Sequence, residues 1–211
     1  MKEEDVLNTG TTTVGIMCKD CIVLAADKRA TAGSFIAHKD INKVIKINDK
    51  MAVTTSGSVS DIQLLIKLLK AELSLKSIRV DRESTVKEAA NLLSNIVYNN
   101  IRKLSIIPGI THFLLGGVDN KLGLYDLYAD GSITEINKFV ASGSGSVMAY
   151  GVLESSYKDD LSETQGIELA VKCVNAAIQR DSASGEGIDV YVIDKSGVRE
   201  ATRKKVNTKA E

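Results

Sequence analysis

Two hydrophobic periodicities divide the chain. Residues 11–18 and 21–27 are rich in β-branched and apolar side chains and flank a short polar turn, which predicts a β-hairpin. Short strands follow over 44–47 and 51–55, the second running into the small-residue turn Ser56-Gly57-Ser58. The period then changes. Ile62, Leu65, Ile66, Leu69 and Leu73 recur at i, i+3, i+4 spacing and predict a helix over 60–76. A second stripe, Leu64, Leu68, Ala71 and Leu75, lies on nearly the opposite side. One stripe can cover a sheet, and the other then needs a different partner, which points to subunit contacts. The next helix starts at Thr85, where Thr85-Val86-Lys87-Glu88 fits a capping box, and runs to about residue 103.

Strands return after Pro108-Gly109, over 113–118, 122–128 and 133–136, with hairpin-turn chemistry at Asp119-Asn120 and Asp130-Gly131. The small-residue run 141–146 leads into a helix over 147–157. A fourth helix begins at Ser162, where Gln165 completes another capping box, and turns Ile167, Ala170, Val171, Val174 and Ile178 inward. Strands over 188–193 and 198–202 close the pattern, and 203–211 reads as a solvated, mostly basic tail. Strands, a helix pair, strands, a helix pair and strands again do not make a βαβ alternation. They predict an α+β fold of four layers, with antiparallel sheets and a helix pair on each side, in one domain without internal repeat or linker.

Composition narrows the function classes. The chain has 211 residues, enough for a core without covalent staples. Its 27 Lys and Arg balance 27 Asp and Glu, and aromatics make up 4%, which argues against a basic, base-stacking nucleic-acid surface. The first residues carry no apolar run of a signal peptide, and no stretch approaches the roughly 20 apolar residues of a membrane span, so a soluble, cytoplasmic protein is expected. Cys18-Lys19-Asp20-Cys21 has CxxC spacing. It sits between two strand-like runs rather than opening a helix, and a zinc site would need a second ligand pair. Small hydrophobes flanking a hairpin turn is the reading adopted, with no metal site.

The run Thr9-Gly10-Thr11-Thr12-Thr13-Val14-Gly15 is an unusual start for a globular chain. As plain sequence it suits an edge strand. Were the bond between Gly10 and Thr11 cut, Thr11 would carry a free amine beside its hydroxyl. Such an amine has an unperturbed pKa of about 7.7–8.0, so one residue would hold nucleophile and base together. The cluster Asp27-Lys28-Arg29 is by itself a solvated strand end. No histidine sits in a triad motif, and Gly143-Ser144-Gly145-Ser146 lacks the lysine of a phosphate loop.

Taken together, ordered segments are more specific. Thr9 to Gly15, Leu24-Ala25-Ala26-Asp27-Lys28-Arg29-Ala30-Thr31, Gly143 to Ser146, Tyr150-Gly151-Val152-Leu153-Glu154 and Arg180-Asp181-Ser182-Ala183-Ser184-Gly185 occur in that order. The chain resembles the β subunits of the 20S proteasome, most closely the archaeal type with a short propeptide, from Thr9 to about residue 198.

That resemblance implies an N-terminal nucleophile hydrolase with an αββα sandwich, residues 1–10 being a propeptide and 11–211 the catalytic domain. It implies Thr11 as nucleophile, exposed by self-cleavage after Gly10. Asp27 and Lys43 would be its charged partners, and Arg29 a supporting residue beside Gly145 and Gly185. Ser144, Asp181 and Ser184 would surround the free amine, and Gly57 would donate its backbone N–H to the oxyanion. Glycine at position 10 suits the self-cleavage, since a residue without Cβ reaches backbone geometries closed to others. Ala30, Thr31, Ile41, Ile45, Thr55, Val59 and Gln63 would bind substrate, an unfolded polypeptide cut after hydrophobic residues. Partners would be other β subunits in a seven-membered ring, α subunits and an ATPase regulator, with no cofactor, nucleic acid or membrane. Two rivals stay in view. A non-catalytic β subunit would lack Thr11 or Lys43, and both are present. The related bacterial two-ring protease fits the Arg180 to Gly185 run less well.

Overall fold

The computed structural model describes residues 10–205. Two five-stranded antiparallel sheets form its centre. The first has the order β10-β1-β2-β11-β12, built from β1 (Thr13–Met17), β2 (Ile22–Asp27), β10 (Phe139–Ser142), β11 (Gly187–Asp194) and β12 (Gly197–Lys205). The second runs β5-β6-β7-β8-β9, from β5 (Val44–Lys46), β6 (Met51–Gly57), β7 (Thr111–Val118), β8 (Leu122–Leu127) and β9 (Ile133–Ile136). A small hairpin, β3 (Ala30–Ala32) with β4 (Phe35–His38), stands apart.

Period-2 alternation builds the layers. Along β2, Val23 and Ala25 face a core shared with helices α3 (Ser146–Ser156) and α4 (Glu163–Ile178). Ile22, Leu24 and Ala26 face the second sheet, against Ala52, Leu114 and Leu124. On β7, Leu114 joins that inter-sheet core, while Phe113 and Leu115 meet α1 (Val59–Val80) and α2 (Val86–Ile101). Every residue of β2 is buried, as a strand covered on both faces requires. The architecture is the expected αββα sandwich.

Local signals set the helix ends. Thr85 Oγ1 accepts from the Glu88 N–H at 3.2 Å and Glu88 accepts from the Thr85 N–H at 2.9 Å, the expected capping box. Ser162 and Gln165 make the same reciprocal pair at the start of α4. The inward stripe of α1 is buried as expected, while Leu64, Leu68 and Leu75 stay 41–46% exposed on this single chain.

Several boundaries differ from expectation. α1 runs to Val80, past residue 76, and closes on Asp81 in the left-handed region with φ 49°. The β3–β4 hairpin was not expected, because its seven strand residues are short runs of small and exposed side chains. Ala141 and Ser142 end strand β10 rather than beginning a loop, pairing with Val14 and Thr13. Residues 203–205, expected in a tail, belong to β12, which pairs with β11 as far as Lys205. Residues 206–211, and residues 1–9 of the expected propeptide, lie outside the described residues.

Cys18 directly follows β1 and Cys21 directly precedes β2, both buried in the core under α4, with the Cys18 N–H donating to the Cys21 carbonyl at 2.8 Å. The hydrogen bond with Cys21, together with burial, pushes the Cys18 thiol far above its ordinary range, which suits a packed hydrophobe. A Cβ at Gly166 of α4 would stand 2.3 Å from Cys18 Sγ. Overpacking of that kind costs about 1–3 kcal/mol, whereas Ala in place of a helical Gly gains only about 1 kcal/mol. Gly166→Ala is therefore expected to lower the thermal midpoint when Cys18 is present and to raise it in a Cys18→Ala background. The same loss in both backgrounds contradicts the packing account. Changing both Cys18 and Cys21 to alanine should leave the peptide hydrolysis expected from the sequence within a few-fold, and stoichiometric zinc lost together with that hydrolysis would overturn the packing reading.

Candidate active site

The sandwich brings one end of both sheets to Thr11. Asp27, the last residue of the central strand β2, is fully buried and collects donors from four directions. Its Oδ1 accepts from the Thr12 N–H at 2.9 Å and from Lys43 Nζ at 2.8 Å. Its Oδ2 accepts from the N–H groups of Arg29 and Gly185, each at 3.0 Å. A buried carboxylate is tolerated when paired and hydrogen-bonded in this way.

Lys43 reaches in from the segment before β5. Its side chain is 6% exposed, and its Nζ lies 3.0 Å from Thr11 Oγ1 and 3.5 Å from the Gly10 carbonyl oxygen. Burial pulls the Lys43 pKa below the ordinary lysine value, and the charge of Asp27 opposes that shift. The hydroxyl of Thr11 donates to the Gly10 oxygen at 2.7 Å.

Behind Thr11 lies a hydroxyl cluster. The Thr11 amide donates to Ser144 Oγ at 3.2 Å. Ser144 and Ser184 both donate to Oδ2 of Asp181 at 2.6 Å. The single hydrogen of Ser184 is thereby committed, so Thr12 Oγ1, 2.7 Å away, donates to Ser184. Thr12 was not anticipated as a site residue.

Glycines let the backbones approach. A Cβ at Gly145 would stand 2.0 Å from Thr12 Oγ1, and one at Gly185 would stand 2.5 Å from the Arg29 guanidinium. Arg29 lies across that turn, donating to the Ser182 carbonyl at 2.8 Å and to Glu186 at 3.1 Å. A Cβ at Gly10 would stand 1.8 Å from Ala183 Cβ, so lack of room excludes a side chain there. Gly57 does need its backbone freedom, with φ +112° and the Ile110 carbonyl oxygen 2.2 Å from where a Cβ would be.

In front of Thr11 opens a cleft of about 160 Å³. Ala30, Thr31, Ile41, Ile45, Thr55, Val59 and Gln63 all line it, together with Gly57 and Lys43. Ile62 of α1 lines it too and was not anticipated. Thr31 also holds the segment before Thr11, its Oγ1 accepting from the Gly10 N–H at 3.2 Å.

The charged cluster after β2 is not a solvated strand end. Lys28 is fully buried, ion-paired to Asp40 at 2.5 Å and to Asp189 at 3.3 Å. With the Ile41 N–H donating to the Lys28 carbonyl at 3.1 Å, this ties down the segment that carries Lys43. No helix among the described residues is long and apolar enough to cross a membrane. Every site residue named from the sequence falls within this one region.

Known proteins are similar to this chain over most of its length. A family model described as "Proteasome subunit" matches residues 7–193. The chain is 46% identical over 204 residues to "Proteasome subunit beta" of Ferroglobus placidus, covering 96% of this chain and 95% of the relative. It is 46% identical over 198 residues to the protein of that name from Methanosarcina barkeri, covering 93% and 92%. "Proteasome subunit beta 1" of Thermococcus onnurineus is 43% identical over 197 residues, covering 93% and 95%. With a family model across most of its length and these identities over nearly all of it, the chain belongs to the proteasome subunit family.

Proposed function

We propose that the chain is a catalytic β subunit of a cytoplasmic proteasome core particle, a threonine endopeptidase that frees its own nucleophile by cleavage between Gly10 and Thr11. Assembly with other proteasome subunits follows from the family. The finer picture, a seven-membered ring stacked on α subunits, fed by an ATPase and degrading unfolded chains, is part of the proposal. The observation that carries it is the contact of Lys43 Nζ with both Thr11 Oγ1 at 3.0 Å and Asp27 at 2.8 Å. A non-catalytic subunit has no use for a buried ammonium aimed at a threonine hydroxyl.

In self-cleavage Thr11 Oγ attacks the Gly10 carbonyl carbon and the carbon–nitrogen bond breaks. The proton lost by the hydroxyl ends on the nitrogen, leaving an ester that water hydrolyses. Lys43, 3.5 Å from the carbonyl oxygen, favours the negative charge that develops there. Before the cut the nitrogen of Thr11 is an amide and has no basic lone pair. Afterwards it is an amine beside Ser144, able to take the proton of Thr11 Oγ and deliver it to the leaving amine of a substrate. Gly57 supplies the oxyanion N–H, and an extended polypeptide lies in the cleft along the strand edges.

Thr11→Ala is expected to abolish peptide hydrolysis in the assembled particle, Thr11→Ser to keep part of it, and Lys43→Ala to lower it by at least about 100-fold. A Thr11→Ala particle that cleaves peptides at the wild-type rate removes Thr11 as nucleophile. The cleft lining contributes no charge opposite a substrate side chain apart from Lys43 beside Thr11, so peptides with a large apolar residue before the cut should be hydrolysed fastest. A preference for Arg or Asp there contradicts the lining assignment.

The pH profile has two expected limbs. Activity rises as the free amine of Thr11 loses its proton, through about pH 8. It falls as the Lys43 ammonium deprotonates, below the ordinary lysine value because burial lowers that pKa. Asp27 raises the Lys43 pKa, so Asp27→Asn moves the alkaline limb further down. An alkaline limb that stays put in Asp27→Asn contradicts the assignment to Lys43.

A further inference from the structure

Beside this machinery, and meeting the cleft at Ser56, lies a chain of polar side chains that joins the two sheets. His112 of β7 contacts Asp126 of β8 through Nε2, at 2.5 Å, and Ser142 of β10 through Nδ1, at 2.8 Å. Ser142 Oγ continues to Ser56 Oγ of β6 at 3.4 Å. The Tyr128 ring covers the imidazole, with centroids 4.5 Å apart. Asp126, Ser142 and Ser56 are all buried.

Chemistry sets the direction of this chain. A carboxylate only accepts, so Nε2–H donates to Asp126, and in the neutral ring Nδ1 accepts from the Ser142 hydroxyl. Ser142 has then used its hydrogen and accepts from Ser56. The order serine, histidine, aspartate is that of a nucleophilic triad. However, Ser142 is 3% exposed and its oxygen lies between His112 and Ser56 inside the sandwich, so no substrate carbonyl reaches it. The ends of the chain tell more. Ser142 precedes Gly143, where φ is +90° and a Cβ would stand 2.0 Å from the Thr11 carbonyl oxygen. Ser56 precedes Gly57 and lines the cleft.

We propose that His112, oriented by Asp126, is a positioning residue. Through Ser142 and Ser56 it holds the strand end that presses on Thr11 in register with the strand end that presents the Gly57 N–H. These two strand ends belong to different sheets, and a hydrogen-bonded bridge between them keeps nucleophile and oxyanion donor at a set separation. The inference rests on the reading of Thr11 as nucleophile and Gly57 as oxyanion donor.

The test is a double-mutant cycle of Ser56→Ala and Ser142→Ala in the full chain assembled with its partner subunits. Each single variant is expected to lower kcat for a fluorogenic peptide by about three- to tenfold, the worth of one hydrogen bond, with KM within twofold. The double variant should lose no more than the worse single one. Asp126→Asn, which keeps an acceptor for Nε2–H, should stay within twofold of wild type, while Asp126→Leu should fall with the serine variants. Unchanged kcat in Ser142→Ala, a loss confined to KM, or equal losses in Asp126→Asn and Asp126→Leu overturns the proposal. Thr11→Ala measured alongside separates the two readings. Activity in that variant sinks the nucleophile assignment, whereas an inactive Thr11→Ala beside a full-rate Ser142→Ala sinks the positioning role alone.

Discussion

The Asp27 carboxylate is the interaction on which the rest depends. It carries a charge into the interior, fully out of water, and that is tolerable because three backbone N–H groups and one ammonium converge on it. Those donors come from the start of β1, the turn after β2, the turn before β11 and the segment before β5. Removing any one leaves a buried charge short of a partner, an effect worth several kcal/mol when the partner is charged. The same contacts that make the carboxylate tolerable set Thr12, Lys43 and Gly185 around Thr11. Fold stability and the geometry of the candidate site are therefore two consequences of one arrangement.

Close backbone approach is the second constraint. Thr11 and Thr12 are gripped by the turn after β10, and Gly10 packs on Ala183. Small residues at these places are demanded by volume, and Gly57 and Gly143 add a positive φ. The Gly-Ser repeats that look like ordinary turn material are thus the surfaces against which Thr11 is held.

Much of this was legible in the sequence because it rests on local rules. The two capping boxes read directly from Thr85-Glu88 and Ser162-Gln165, and the apolar stripe of α1 from its spacing. Strands β2 and β7, covered on both faces, show as nearly continuous apolar runs. The site residues were legible by a different route, from an ordered set of short segments and not from any local periodicity. What stayed hidden depends on pairing across the fold. Lys28 meets Asp189 only because β2 and β11 are neighbours, and nothing about either residue alone distinguishes it from a surface charge. His112 and Asp126 come together through the register of a hairpin in which Leu114 pairs with Asp126. That register could have been counted from the Asp119-Asn120 turn, but the link onward to Ser142 crosses between sheets. The β3–β4 hairpin escaped because its strands lack an apolar face.

The proposed chemistry requires Thr11 to become the N-terminus of the working subunit. The intact mass of this subunit, taken from an assembled, peptide-cleaving particle, decides whether it does. A chain that has lost residues 1–10 and begins at Thr11 is expected. A fully active particle whose subunit still carries Gly10 bonded to Thr11 would contradict it.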